Sequence, residues 1–410
     1  MTNDTDAGAR LDRYARVILE TGVVLRPGQD LAINALVEHA PLARAIAEAA
    51  YRHGAGYVDI WYFDPHAKAS RVRHAAPESL GRTPPWLDRR YEDLAERGGA
   101  LVNITGDPDP ELLAGLDPAR AGMDRMPALA SRFRVQSRGL VAWTIAAYPT
   151  AAWARGVYGE PDVERLWRDL EHFLRLDEPD PVAAWREHLD LLRHRAALLT
   201  EAGFDELHYT GPGTDLRVGL IPEARWTISA HDMPDGSVNV LNLPTEEVFT
   251  TPHRERAEGV VSATRPLALG GVVVEDLWLR LAGGRVVEVD ARTGRDTVAR
   301  QLADVPGAGR LGEVALVDGT TSRIGRLGTV YRDTLLDENA TCHIAWGGGI
   351  PTAFADWREI DDATLAGRGV NFSKVHVDFM MGGPGLTVRG RRAGGGGETT
   401  ILEDGAWALG

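Results

Sequence analysis

The chain has 410 residues, 44% of them hydrophobic and 25% charged, with a formal net charge of −14. This length accommodates two domains with substantial cores, and the acidic balance argues against a nucleic-acid surface or an anionic membrane as partner. A single cysteine, Cys342, excludes an intramolecular disulfide and a four-thiolate zinc site.

The polar start, "MTNDTDAGARLDRYAR", carries no signal-peptide run, and no segment approaches the roughly 18 apolar residues of a membrane span. A cytoplasmic protein is expected. The N-terminal part then reads as α/β. "DLAINALV" (30–37) is a buried strand, Pro41 suits the first turn of a helix that runs to Gly54, and "GYVDIWYF" (56–63) is a second strand. Together they make one βαβ unit. "GALVNITGDPDP" (99–110) gives a third strand and a turn, and "GLVAWTIAAYP" (139–149) a fourth. No G-x-G-x-x-G follows a strand, so the βαβ character brings no dinucleotide site with it.

"PDVERLWRDLEHFLRL" (161–176) is a helix. A longer one follows, with Asp180 as N-cap and Pro181 at its first position. Val182, Trp185, Leu189, Leu192, Ala196 and Leu199 recur at steps of three and four and line one face. The domain junction is expected here, with an α/β domain over 1–200 and a second domain over 201–410.

Beyond Phe204 the pattern changes to short strands with Gly and Pro punctuation: "ELHYTG", "DLRVGLI", "ARWTIS", "VNVLNLP", "GVVVEDLWLRLAGGRVVEVDA" and "EVALVD". One helix, near 296–303, interrupts them. The expected architecture is a mixed or antiparallel, β-rich domain. "LAGGRVVEV" reads as a hairpin with a two-glycine turn, and "RAGGGGETT" as a flexible loop. "WGGGIP" (346–351) lacks the Lys-Ser/Thr of a phosphate loop.

Ligand-type side chains concentrate in this half. They are Glu246, Glu247, His253, Glu313, Asp318, Asp337, Glu338, His343, His376 and Asp378. Each alone has a bland reading, as a solvated strand end, a paired carboxylate or a core histidine. Taken jointly they suggest a metal site. In "VHVDFMMGG" strand alternation puts Val375, Val377 and Phe379 on one face and His376 with Asp378 on the other. His343 completes a set of two histidines and one carboxylate, which suits zinc, cobalt, iron or manganese. Glu247 and Glu313 exceed what one ion needs, and a carboxylate surplus is what a two-metal centre requires. Cys342 has no acid or base placed beside it as a nucleophile would need, and reads as a small buried thiol.

The segments "LHYTGPGTDLRVGL", "NLPTEEVFTTP", "LGEVALV", "YRDTLLDENATCHIAWG" and "VHVDFMMG" occur in an order that resembles the thermophilic metalloprotease family, the aminopeptidases of T, S and PepS type. "EPDVERLWRDLEHFLRLDEPDPVAAW" resembles that family's helical segment ahead of its C-terminal domain. The resemblance implies a homodimer of two-domain chains, with two divalent metal ions per chain (zinc, cobalt or manganese) in the C-terminal domain. It puts the metal ligands on Glu247, Glu313, His343, His376 and Asp378, with Glu247 or Glu313 bridging the ions or relaying the proton. The implied reaction is hydrolysis of N-terminal residues from short peptides by an activated water. One position departs: the family commonly has a tyrosine seven residues after the histidine, and here that residue is Ile350, leaving Tyr331 or a partner's tyrosine as substitutes. Two alternatives stand beside the peptidase. One is a mononuclear non-haem iron, ring-cleaving dioxygenase using His343, His376 and Asp378. The other is a catalytically silent metal-binding homologue.

Overall fold

The computed structural model describes residues 2–410 except 110, 111, 114, 125, 128, 234, 235, 270, 271 and 396, with residues 2–6 and 118 described in backbone only. Pro110, Gly271 and Gly396, which belong to segments read above, therefore lie outside the described residues. The chain forms two compact units, residues 1–187 with 230–244, and residues 188–229 with 245–410.

The first unit is built on a parallel sheet. Its main strands are β1 (Asp30–Leu36), β2 (Tyr57–Phe63), β3 (Ala100–Thr105) and β4 (Ala142–Ala147). They lie in the order β2-β1-β3-β4, and Asn242–Leu243 pairs parallel to the far edge of β4. β1 and β3 are apolar along almost their whole length, as a strand covered on both faces requires. The helix Ala40–Arg52 has Pro41 in its first turn and buries Leu42, Ala43, Ile46 and Ala50. Helices Pro65–His74 and Pro85–Glu96 occupy the connection between β2 and β3.

Open parallel sheets bind nucleotides where the strand order reverses, here between the carboxyl ends of β1 and β3. In this chain the His39 side chain spans that gap. Its Nδ1 accepts the Leu36 N–H at 3.2 Å, so Nε2–H donates to the Gly106 carbonyl at 2.7 Å. Burial lowers its pKa and keeps it neutral. A packed, doubly bonded imidazole thus occupies the place a ligand would take.

The helix Val163–Phe173 is capped by Asp162, whose Oδ1 accepts the Arg165 N–H at 2.9 Å. In the helix Pro181–Ala202 the six residues of the expected stripe, from Val182 to Leu199, are all buried. Each fully buried leucine or valine there contributes about 1.5–3 kcal/mol.

Among the described residues the second unit holds a two-stranded antiparallel sheet, Leu267–Leu269 with Val272–Val274, and two large ones. The larger has eight strands, in the order Arg285–Asp290, Trp278–Ala282, Pro252–Ser262, Thr214–Leu220, Glu206–Gly211, Thr387–Arg391, Glu398–Glu403 and Ala406–Trp407. Ala282 pairs with Arg285 across Gly283 and Gly284, whose φ angles of 55° and 74° are those a two-residue hairpin turn demands. The interrupting helix spans Arg295–Asp304. The smaller sheet has four strands in the order β5 (Glu247–Thr250), β6 (Leu311–Val317), β7 (His343–Gly347) and β8 (His376–Met380). Among the described residues no helix is long and apolar enough to cross a membrane.

Candidate metal centre

The four-stranded sheet has two chemically different faces, and its register shows why. Residues paired across neighbouring strands point to the same side. Val314, Leu316, Ile344, Trp346 and Phe379 fall on one side and are buried, with the Trp346 and Phe379 rings 5.6 Å apart. Glu247 pairs with Val317, Glu313 with Ala345, Ala345 with Asp378, Ala315 with His343, and Gly347 with His376. Glu247, Glu313, His343, His376 and Asp378 therefore share the other side. Ala315, Ala345 and Gly347, interleaved among them, leave that side uncrowded.

The structure brings all five residues together. Donor atoms of Glu247, Glu313 and His343 lie within 4.8 Å of one another, and so do those of Glu313, His376 and Asp378. Glu313 belongs to both groups. Glu313 Oε2 is 2.9 Å from His376 Nε2, Asp378 Oδ1 is 3.3 Å from the same nitrogen, and Glu247 Oε2 is 3.2 Å from His343 Nε2.

Both imidazoles are anchored from behind. His343 Nδ1–H donates to the Thr341 carbonyl at 3.3 Å, and His376 Nδ1–H to the Gly348 carbonyl at 2.7 Å. That fixes the tautomer in which Nε2 offers its lone pair to the site, the arrangement of histidine metal ligands. Glu247 Oε2 and Asp378 Oδ1 are buried acceptors that make no well-formed hydrogen bond and meet the imidazole nitrogens at 3.2 and 3.3 Å. Oxygens of this kind cost stability unless a cation or donor meets them. The donor set thus fits a hard or borderline divalent cation.

Electrostatics agree. Burial opposes charging His343, but Glu247, Asp378 and Glu313 outweigh it and raise its pKa to about 10. His376 is raised well above its ordinary value in the same way, by Asp378 and Glu313 against burial. Burial, eased by His376, raises Glu313. Burial also works against ionising Asp378, yet the His376 and His343 charges hold its carboxyl below the usual range. Metal binds the free base of imidazole and the carboxylate, so binding must expel protons and must strengthen as pH rises. More than one proton per chain is expected to be released at pH 7, counted by calorimetry in buffers of different ionisation enthalpy. Release of none would contradict this account of the imidazoles. For the metal-free chain the sign is the reverse. A histidine raised from 6.5 to about 10 stabilises the fold fully below pH 6.5, and that stabilisation fades as pH climbs towards 10.

Glu338, named among the ligand-type residues but not in the expected ligand set, also joins the site. It ends the short helix Thr334–Glu338, and burial together with Asp378 and Glu247 raises its pKa well above the carboxylate range. Asn339 ties it down: Nδ2 donates to Glu338 Oε1 at 3.4 Å, while Oδ1 accepts the Glu246 N–H at 2.7 Å, one residue before Glu247. The other ligand-type residues lie elsewhere. Asp318 pairs with Arg195 at 2.8 Å, Glu246 with His188 at 3.5 Å, and His253 Nδ1 accepts the Glu255 N–H. Cys342 is buried beside Val317 and its thiol is pushed up to about 12, which leaves it inert.

Ile350 follows this sheet closely. Gly348, whose carbonyl holds His376, lies two residues before it. The Ile350 N–H donates to Thr251 Oγ1 at 3.4 Å, and that hydroxyl donates to the carbonyl of Gly312, the neighbour of Glu313. Its side chain carries no hydrogen-bonding group.

A family model described as thermophilic metalloprotease (M29) matches residues 7–407. The chain is 39% identical to aminopeptidase T of Thermus aquaticus, over 96% of this chain and 95% of that protein. It is 37% identical to aminopeptidase 2 of Geobacillus stearothermophilus, over 97% and 98% respectively. The solved structure of wild-type AmpT from Thermus thermophilus matches with a TM-score of 0.88 at 36% identity, covering 98% of this chain and 99% of that one.

Proposed function

The chain belongs to the thermophilic metalloprotease (M29) family, and from that premise we propose that it is a metal-dependent aminopeptidase acting on short peptides. The observation that carries the reading is the single sheet face on which two groups of donors meet at Glu313. Glu247, Glu313, His343, His376 and Asp378 would hold two divalent cations, with Glu313 shared between them. Bound there, divalent cations supply Lewis acidity and lower the pKa of water.

The chain's own residues supply the remaining chemistry. His343 and His376 keep Nε2 turned inward because their Nδ1–H groups are held by backbone carbonyls. Glu338 contributes no atom to either donor group, and burial favours its protonated form, so its carboxyl holds a proton beside the donors. The apolar reverse of the sheet keeps the four strands in register beneath them.

The test is hydrolysis of L-leucine p-nitroanilide. Turnover that is lost on chelation and restored by zinc, cobalt or manganese is expected. Oxygen consumption with ferrous ion, without release of p-nitroaniline, would replace this reading with the ring-cleaving dioxygenase.

A further inference from the structure

One guanidinium of the first unit stands without a counter-charge. Helices Pro85–Glu96 and Ala130–Ser137 pack on the same apolar cluster, which includes Leu87, Tyr91, Leu129 and Val135. Other arginines around that cluster are paired. Arg134 reaches Glu92 at 2.7 Å, Arg90 bonds Asp59 and donates to Asn34 Oδ1 at 2.8 Å, and Arg71 bonds Asp124. Arg132 makes no hydrogen bond or ion pair among the described residues. Its guanidinium carbon lies 4.9 Å from the centre of the Phe133 ring, and its charge reaches the Tyr91 hydroxyl. Burial pulls its pKa down, and Tyr91 is the group that opposes this. A charge buried without a partner is costly. Arg132 also sits in the first turn of its helix, where the macrodipole disfavours a cation.

An anion would offset both penalties, and the place is accessible to one. Arg132 is only partly buried; its Nε is sealed from solvent while Nη1 and Nη2 are not. Leu129, at the N-cap, supplies no side-chain acceptor, so N–H groups of the first turn stay unspent. Ser131, 4% exposed, adds a hydroxyl without a partner in the same turn. Helical side chains lean towards the N-terminus, which directs both residues to that end. The helix leads into β4 and so runs against the parallel strands. Its first turn therefore lies towards their carboxyl ends, where open α/β sheets take ligands.

We propose that Arg132 and the first turn of this helix bind a small oxyanion, a phosphate or a carboxylate. The guanidinium fork meets two oxygens of either at once, and the helix N-terminus adds N–H donors. The ligand's source is free phosphate or the C-terminus of a short peptide.

The test is titration calorimetry of the full chain with inorganic phosphate, run first on protein stripped of metal so that the anion meets none. One site per chain is expected, weakened about tenfold or more in Arg132→Gln, the scale of one charged hydrogen bond. The same Arg132-dependent site should remain in the metal-loaded protein. Losing an uncompensated charge should not harm the fold, so the Tm of Arg132→Gln in chloride is expected to hold or rise. Phosphate at equal ionic strength should raise the Tm of the parent only. A parent that binds no phosphate, or a variant that binds it equally well, overturns the proposal. A variant whose Tm falls in chloride makes Arg132 a structural residue and also overturns it. Competition separates the sources. Displacement of phosphate by N-acetyl-diglycine but not by its amide supports a peptide C-terminus, and displacement by neither supports free phosphate. Displacement by both would mean that the site does not read an oxyanion, and overturns the proposal.

Discussion

Replacing Glu313 with glutamine is expected to lower kcat/KM by more than about 100-fold, beyond the usual loss for a residue that only supports a metal ligand. Glu313 is the one residue common to both donor groups, and its Oε2 stands 2.9 Å from His376 Nε2. Glutamine keeps the volume but presents an N–H₂ where an anionic oxygen stood. A site sharing that carboxylate between two cations loses charge from both at once. The same change should not harm the metal-free fold. Glu247, Glu313, Glu338 and Asp378 are buried together against two imidazoles, so removing one carboxyl relieves repulsion. Thermal denaturation is thus expected to show a metal-free variant at least as stable as its parent, with a smaller gain in Tm on adding metal. A variant that loses activity because it is unfolded without metal would contradict this explanation.

Restoring the aromatic residue at position 350 is expected to raise kcat. The resemblance drawn from the sequence implies a tyrosine at this place, and Ile350 has nothing to donate to developing negative charge. Removing one such donor costs about 10²–10³ in rate, which sets the ceiling for what Ile350→Tyr can recover; a gain of about tenfold is the threshold for the idea. The backbone is prepared for it, since Ile350 N–H, Thr251 Oγ1 and the Gly312 carbonyl form a chain that ends beside Glu313. The gain belongs in kcat rather than KM, because the hydroxyl would act on charge that appears only as the reaction proceeds. A KM change with kcat unaltered would show that the tyrosine merely fills space. Tyr331 is a poor substitute, because it is fully buried and lies in the field of Arg265.

Much of this site was legible because strand alternation is strict. Val377 and Phe379 against His376 and Asp378 could be sorted onto two faces from five letters, and β8 is sorted that way. The helix over 181–202 was equally plain from its cap and its stripe. What the sequence could not carry is pairing between distant strands. Nothing local says that Ala345 sits in register between Glu313 and Asp378, or that Asn242–Leu243 extends a sheet begun at Asp30. Helix Pro85–Glu96 escaped notice because only Leu87, Tyr91 and Leu94 of its twelve residues are buried. Glu338 was named among the candidates, but its place beside the donors was hidden for another reason. It ends a helix of five residues, too short to show a period, and only the folded chain brings it close to the donors.

The central claim is that five nitrogen and oxygen donors on one sheet face hold a pair of cations. Elemental analysis of the purified protein after dialysis tests it most directly, run in parallel on Glu313→Gln. Two equivalents of divalent metal per chain, falling to one or none in the variant, is the predicted result. A chain that retains no divalent metal, or a variant whose content is unchanged, would contradict it.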